Sequence, residues 1–372
     1  MYDNRSRIIV FIVVLTLIFS LFTVFISSES TPSVSARAAA LYEPETKRFL
    51  YTKNSDEKLG MASTTKIMTA LLALEILEPT ENILVDDRAV GIEGSSIYLR
   101  SGEIMNALDL IYAVLLQSAN DAAAALAYRI SGSIEAFAEL MNQKARELGL
   151  KDTNFTNPHG LDDKNHYTTA HDLAIISASA LQNIDFKKIS STYKKEVQSS
   201  ETTRLLVNHN KMLKMYDGCI GVKTGYTKKS GRCLVSAAEK DFLTMICVTI
   251  NAPDDWNDHT RMLDYGYSLL EAKMLASEGD FKYTIPVVNG SKDVVTVSNK
   301  EEIKKIFQKN DSDIKSYVKL SHYVAAPIKE GDILGTVIFT KNGVTIASLN
   351  LYASENIDII QQKKSRFPFF NK

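Results

Sequence analysis

Between Ser63 and Leu77 the apolar residues Ile67, Met68, Leu71, Leu72, Leu74, Ile76 and Leu77 occupy most of a helix's circumference. A helix with no face to give to water has to sit in the middle of its domain, so the rest of the chain must supply layers that surround it. With 372 residues the chain can do this in one main domain of roughly 200–250 residues and still carry a smaller one. Composition agrees with a packed globular protein: 45% of residues are hydrophobic, 23% are charged, and there are 17 Gly and 8 Pro.

Around that helix the pattern changes twice. Ala38–Tyr42 and Arg48–Thr52 are short strand-like runs flanking the turn residues 43–47, and they read as a hairpin. Helical periodicity continues at Ala107–Leu116, Ala122–Ile130 and Ile134–Leu148, the last between Ser133 as N-cap and Gly149 as terminator. A polar loop from Asn154 to Thr169 leads to a helix near Asp172–Gln182. Strand character returns at Gly218–Lys223, Cys233–Ala238 and Leu243–Ile250. Strands at both ends with helices between them predict an antiparallel sheet closed by the two ends of the domain and covered by helices, an α/β fold of the α+β kind. A last helix is expected near Thr260–Ala276. Beyond it Tyr283–Val288, Val294–Val297, Tyr317–Leu320 and a hairpin around Asn342-Gly343 predict a small all-β domain. The expected division is therefore 1–34, 35–276, 277–353 and a short basic and aromatic tail at 354–372.

The first segment is an export signal. Arg5 and Arg7 precede 19 uncharged residues from Ile8 to Ile26, longer than the usual core of a signal peptide and close to the ~20 residues that cross a bilayer. Cleavage near Ser30 or Ala36 and retention as an anchor are both open. In either case the basic N-terminal flank predicts that everything after Ile26 lies outside the cytoplasm. The formal net charge of −1, with no concentrated Lys and Arg stretch, argues against a nucleic-acid partner. Cys219, Cys233 and Cys247 form neither a disulfide framework nor a zinc motif, and are expected to be reduced and buried, with Cys233 and Cys247 near one another across neighbouring strands.

Three short motifs carry the chemistry. Ser63-Thr64-Thr65-Lys66 places a hydroxyl and an amine three residues apart on one helix face. A lysine can take a serine proton only when desolvation or neighbouring charge keeps it neutral, and an apolar helix supplies the desolvation. Alone, this spacing is more often a cap and a surface lysine. Ser118-Ala119-Asn120 falls at a break between two apolar helices, where polar side chains can face a cavity. Lys223-Thr224-Gly225, followed by Tyr226, ends a strand and offers a positive charge and a hydroxyl to a carboxylate, with Gly225 permitting close approach.

Together, in this order, they are the S-x-x-K, S-x-N and K-T-G set of class A β-lactamases and penicillin-binding proteins. From about Ala36 to Ala353 the chain resembles the D-alanyl-D-alanine carboxypeptidases of low molecular mass. The resemblance extends through Asn157-Pro158-His159-Gly160-Leu161, Leu263-Asp264-Tyr265-Gly266-Tyr267 and Gly331-Asp332-Ile333-Leu334-Gly335. It implies a β-lactamase/transpeptidase-like fold with a C-terminal β-domain, no metal and no organic cofactor, and penicillin sensitivity. The substrate would be a peptidoglycan stem peptide ending in D-Ala-D-Ala, met at the outer face of the cytoplasmic membrane.

The same resemblance makes Ser63 the acylated nucleophile, Lys66 its base, Ser118 the proton relay to the leaving D-alanine and Asn120 a contact to the substrate peptide. Lys223 and Thr224 would hold the terminal carboxylate, and the backbone N–H groups of Ser63 and Tyr226 would form the oxyanion hole. The long amphipathic helix that commonly ends such proteins is not evident: Pro368 interrupts the basic and aromatic tail.

A β-lactamase would need a deacylating glutamate in an E-x-x-L-N segment, which does not occur between Asn120 and Lys223, and would have no use for the β-domain. A non-catalytic peptidoglycan-binding protein would not need every motif side chain. His159, His166 and His171 with nearby aspartates match no metal-ligand spacing, and His209 and Trp256 read as loop and packing residues.

Overall fold

The computed structural model describes residues 31–360. The apolar run Ile8–Ile26 and the tail from Lys363 to Phe370 lie outside them. In chain order the first body comprises β1 (Ala38–Glu43), β2 (Arg48–Lys53), α1 (Lys66–Ile76), β3 (Asn82–Leu84), β4 (Ile104–Asn106), α2 (Ala107–Leu116), α3 (Asn120–Ser131) and α4 (Ile134–Glu147). It continues through α5 (Ala170–Gln182), α6 (Ile184–Ser191), β5 (Lys194–Gln198), β6 (Thr203–Val207), α7 (Met212–Met215), β7 (Cys219–Thr227), β8 (Gly231–Lys240), β9 (Leu243–Ile250) and α8 (Asp255–Leu269).

Its centre is a five-stranded sheet in the order β2-β1-β9-β8-β7, with every neighbouring pair antiparallel. The N-terminal hairpin thus lies beside the last strand of the body, and β7 is left as an edge. Alternate residues of the central strands enter two different cores. Ala40, Val235, Val248 and Ile250 face the layer that contains α1 to α6, whereas Leu41, Leu234, Met245 and Cys247 face α8. An antiparallel sheet covered on both sides gives a three-layer body, and α1 lies inside its thicker layer with Lys66 through Ala73 all buried.

Several elements begin where the sequence says they should. Asn106, Ser133 and Thr169 cap α2, α4 and α5 by accepting from Asp109, Ala136 and Asp172 backbone N–H groups. The nucleophile helix differs from expectation at its start. Ala62–Thr65 is a 3₁₀ turn, and the α-helix proper begins at Lys66. In a 3₁₀ turn side chains three residues apart eclipse, which puts Ser63 and Lys66 on one edge of the turn.

The helix expected to run to Ala276 stops at Leu269, and Leu270–Ala276 is a strand, β10, paired antiparallel with β13 (Ile303–Gln308). Leu, Glu, Ala, Lys and Met there favour helix, and the pairing overrides that propensity. The remaining strands are β11 (Lys282–Val288), β12 (Val294–Ser298), β14 (Ile314–Leu320), β15 (Val324–Ala325), β16 (Ile333–Lys341) and β17 (Val344–Ala353). They form a six-stranded sheet around a separate core that includes Ile285, Val337, Phe339 and Leu351. The Asn342-Gly343 turn joins β16 to β17 with both residues at positive φ, as a two-residue hairpin requires.

Cys233 and Cys247 are buried free thiols, but Cys233 stands opposite Ile250 and Cys247 opposite Ser236. They are therefore on opposite faces of the sheet and do not meet. Cys219, expected to be buried, is only half-buried. Among the described residues no helix is long and apolar enough to cross a membrane.

Under the sheet, His259 of α8 is completely buried between Ser236 Oγ, 2.5 Å from Nδ1, and Thr249 Oγ1, 2.9 Å from Nε2. Burial lowers its pKa to about 3, against about 6.5 in the unfolded chain. Below about pH 6.5 the unfolded chain therefore binds a proton that the folded protein refuses, and stability falls by up to about 1.4 kcal/mol per pH unit on this account. His259→Gln should flatten the dependence of urea-unfolding free energy on pH between 6 and 4 relative to the parent protein. Equal slopes in the two proteins would refute a buried neutral imidazole.

Candidate active site

Lys66 Nζ lies 3.0 Å from Ser63 Oγ, 2.6 Å from Asn120 Oδ1 and 2.5 Å from the backbone oxygen of His159. The last two partners can only accept. A charged ammonium would donate to all three; once neutral, the amine has two N–H donors for those acceptors and one lone pair that can take the Ser63 proton. The Asn120 amide is itself oriented, because Nδ2 donates to the Glu93 backbone oxygen and thereby turns Oδ1 toward the lysine. Burial drives the Lys66 pKa well below its ordinary value; the positive charge of Lys223 pushes the same way, and Asp121 opposes both. The arrangement can move a proton from a serine hydroxyl to an uncharged amine.

Two glycines allow this packing. Gly160, at φ +89°, lies so near the Ser63 turn that a Cβ would come within 2.0 Å of the Ala62 backbone oxygen. The loop it belongs to is pinned by Asn157, which accepts from Gly160 N–H at 2.7 Å, and by Thr69, whose hydroxyl donates to the Pro158 oxygen at 2.6 Å. That loop delivers the His159 carbonyl to Lys66. On the other side Gly225 brings β7 against the nucleophile turn: a Cβ there would stand 2.9 Å from the Ser63 nitrogen.

The second motif sits at the break between α2 and α3. Ser118 has a left-handed backbone, φ +59°, and its side chain faces the cavity that Ser63 also lines. Asn120 is the first residue of α3, and its N–H donates 2.7 Å to Ser95 O, tying in the loop that precedes β4. Lys223 is buried, donates to the Thr224 backbone oxygen at 2.9 Å, and has its pKa lowered to about 7 by burial.

Ser63, Ser118, Thr224, Gly225 and Tyr226 line one cavity of about 350 Å³. Lys66, Asn120 and Lys223 are buried close behind it. All eight residues singled out from the sequence are thus gathered at one place. His209 and Trp256, read as loop and packing residues, also line the cavity, together with Lys211, Arg232 and Asp255. No motif marks them, since they come from three separate segments: the stretch before α7, the start of β8 and the start of α8.

The other histidines have different work. His166 accepts from Thr156 N–H at Nδ1, 3.0 Å, and meets Thr65 Oγ1 at 2.7 Å through Nε2, so it braces the nucleophile turn; burial lowers its pKa to about 4. His159 is lowered to about 3 by burial and then by Lys66. His171 stacks on Phe49. Among the described residues no three His, Cys, Asp or Glu side chains are grouped to hold a metal ion.

This geometry has known counterparts. The family model for D-alanyl-D-alanine carboxypeptidase matches residues 26–254, and that for the C-terminal domain of penicillin-binding protein 5 matches residues 270–358. The D-alanyl-D-alanine carboxypeptidase DacF of Bacillus subtilis is 35% identical over 348 residues, covering 91% of this chain and 88% of that protein. DacC of Escherichia coli is 31% identical, covering 88% and 85%. Among solved structures, penicillin-binding protein 5 from Haemophilus influenzae superposes with a TM-score of 0.65 at 27% identity, covering 88% of this chain and 99% of that one. Family profile, full-length relatives and shared architecture agree that this chain belongs to the D-alanyl-D-alanine carboxypeptidases, a family of serine peptidases.

Proposed function

We propose that Ser63 is the nucleophile that removes the terminal D-alanine from peptidoglycan stem peptides, with Lys66 as its base. The observation that carries this is the buried Lys66 amine, 3.0 Å from Ser63 Oγ and held in place by two further acceptors, Asn120 Oδ1 and the His159 backbone oxygen. Ser63 Oγ attacks the carbonyl between the two D-alanines while its proton passes to Lys66 Nζ. The backbone N–H groups of Ser63 and Tyr226 receive the developing oxyanion. As the C–N bond breaks, Ser118 relays the proton from Lys66 to the departing amine. Water then attacks the ester and restores Ser63.

Asn120 keeps one Nδ2 hydrogen beyond the bond to Glu93 O, enough to meet a substrate carbonyl while its oxygen orients Lys66. Lys223 and Thr224 hold the terminal carboxylate, with Gly225 giving the peptide room beside β7. Among the described carboxylates Asp121 is the one that acts on the Lys66 charge, and its oxygens already accept from Ser96 Oγ and from the Ile97 and Leu99 N–H groups. It is not poised to activate water, which favours the carboxypeptidase reading over a β-lactamase.

In the same proposal the protein is exported by the segment containing Ile8–Ile26 and works at the outer face of the cytoplasmic membrane. Cell fractionation with sequencing of the mature N-terminus should find it in the membrane fraction with that segment intact. A soluble product beginning after Ser30 or Ala36 would contradict anchoring.

Fluorescent penicillin should label the protein covalently, Ser63→Ala should abolish labelling, and Lys66→Ala should come close, because nucleophile and base act as a unit. A D-Ala-D-Ala peptide should turn over with release of one D-alanine per event while the penicillin adduct persists, since the opened lactam keeps its leaving nitrogen in the site. Penicillin hydrolysis as fast as D-alanine release, or no D-alanine at all, would sink the assignment.

The carboxylate contact needs Lys223 charged, and in the free enzyme its pKa is about 7. On this ground kcat/KM should decline as pH rises through about 7. Lys223→Arg, which stays charged, should remove that alkaline limb from whatever activity remains. An unaltered limb would assign it to another group.

A further inference from the structure

Tyr98 is the most solvent-exposed aromatic residue among those described, at 82% against 66% for Tyr226 and Phe242. Both flanking residues, Ile97 and Leu99, are buried. The backbone of Tyr98 is left-handed, φ +58°, a conformation that an aromatic residue rarely adopts and that glycine or asparagine takes easily. The fold enforces it from two sides. Asp121 accepts from Ser96 Oγ at 2.6 Å and from the Ile97 and Leu99 N–H groups. Arg204 of β6 donates to the Ile97 oxygen at 2.8 Å and the Tyr98 oxygen at 3.2 Å, and is itself locked to the buried Glu103.

Among the described residues nothing packs on the ring in an aromatic or cation–π contact. Among the described residues its hydroxyl has no hydrogen-bond partner and no side chain stacks on it, so a strained backbone holds an aromatic group in water. Its position is tied to the active site. Asp121 is the residue after Asn120; Asn120 N–H holds Ser95, three residues before Tyr98, and Ser95 lines the cavity. Arg204 lies on the strand that runs into His209, which lines the same cavity. Tyr98 therefore belongs to a segment anchored to the site through Ser95 and Asp121, and it does not itself line the cavity.

We propose that Tyr98 is a substrate-positioning residue that packs against the part of the stem peptide upstream of D-Ala-D-Ala, the long side chain of its third, diamino acid residue. The inference rests on the carboxypeptidase reading of the site. A flat amphipathic ring suits an aliphatic chain with a polar end, and contacts to a non-reacting part of a substrate raise turnover when they hold the scissile bond in place.

The test compares an acetylated D-Ala-D-Ala dipeptide, which ends before Tyr98, with a stem pentapeptide carrying the diamino acid. Tyr98→Ala should lower kcat/KM for the pentapeptide about tenfold, at least five times more than for the dipeptide, and Tyr98→Phe should restore it. Tyr98→Gly, which relieves the backbone, should show the same selective loss with a melting temperature no lower than the parent's. Equal losses on both substrates, or none on either, would overturn the assignment. Failure of the parent protein to release D-alanine from either peptide would instead overturn the carboxypeptidase reading on which it rests.

Discussion

A lysine buried in the interior of the protein, its pKa driven well below the ordinary value, is the condition on which the remaining structure depends. An ammonium group is costly to bury, so sealing it from water favours the neutral amine. For Lys66 that sealing needs an apolar layer on every side of α1, and the three-layer body supplies it: the central sheet lies beneath, α2 to α6 lie around, and the Asn157–Leu161 loop closes the end at which Ser63 emerges. A fold that left one face of α1 in solvent would place the same two residues at the same spacing and obtain an ordinary charged lysine.

Sealing alone would leave a buried amine with unsatisfied hydrogens. The His159 carbonyl and Asn120 Oδ1 supply acceptors, and each is delivered by an element that is fixed elsewhere. The loop bearing His159 fits because Gly160 has no Cβ, and the amide of Asn120 is oriented by the Glu93 oxygen. The nucleophile is reached from the opposite side by an edge strand, which is the only kind of strand whose outer backbone remains free for an extended peptide.

Much of this was legible before the structure. The apolar circumference of α1 announces its burial, strand-like runs at both ends of the domain with helices between them announce the layers, and the three motifs announce that distant segments converge. What escaped was information that side-chain type does not encode. The His159 contribution is a backbone oxygen, so no property of histidine predicts it. The 3₁₀ start at Ala62–Thr65 differs from an α-helical start by tertiary packing against Gly160 and Gly225. Leu270–Ala276 has the composition of a helix and becomes a strand because Ile303–Gln308 pairs with it. Cys233 and Cys247 sit on neighbouring strands, but the register places them three pairs apart and so on opposite faces.

The balance of charge around the cavity also bears on why such a site would act only at a chain end. Lys66 and Lys223 are both buried, the charge on Lys223 disfavours one on Lys66, and His159 and His166 are held neutral at ordinary pH. Among the described residues no carboxylate forms an ion pair with Lys223, so the positive charge there lacks a counterion of its own. In the proposed reaction the substrate brings that counterion. A terminal carboxylate beside Lys223 favours its charged form, and the charge on Lys223 in turn favours the neutral form of Lys66, the form that can accept the Ser63 proton. An internal peptide bond presents an uncharged amide at the same place. It would leave the Lys223 ammonium desolvated and unpaired, a penalty that falls on endopeptidase action and spares the removal of a single terminal residue.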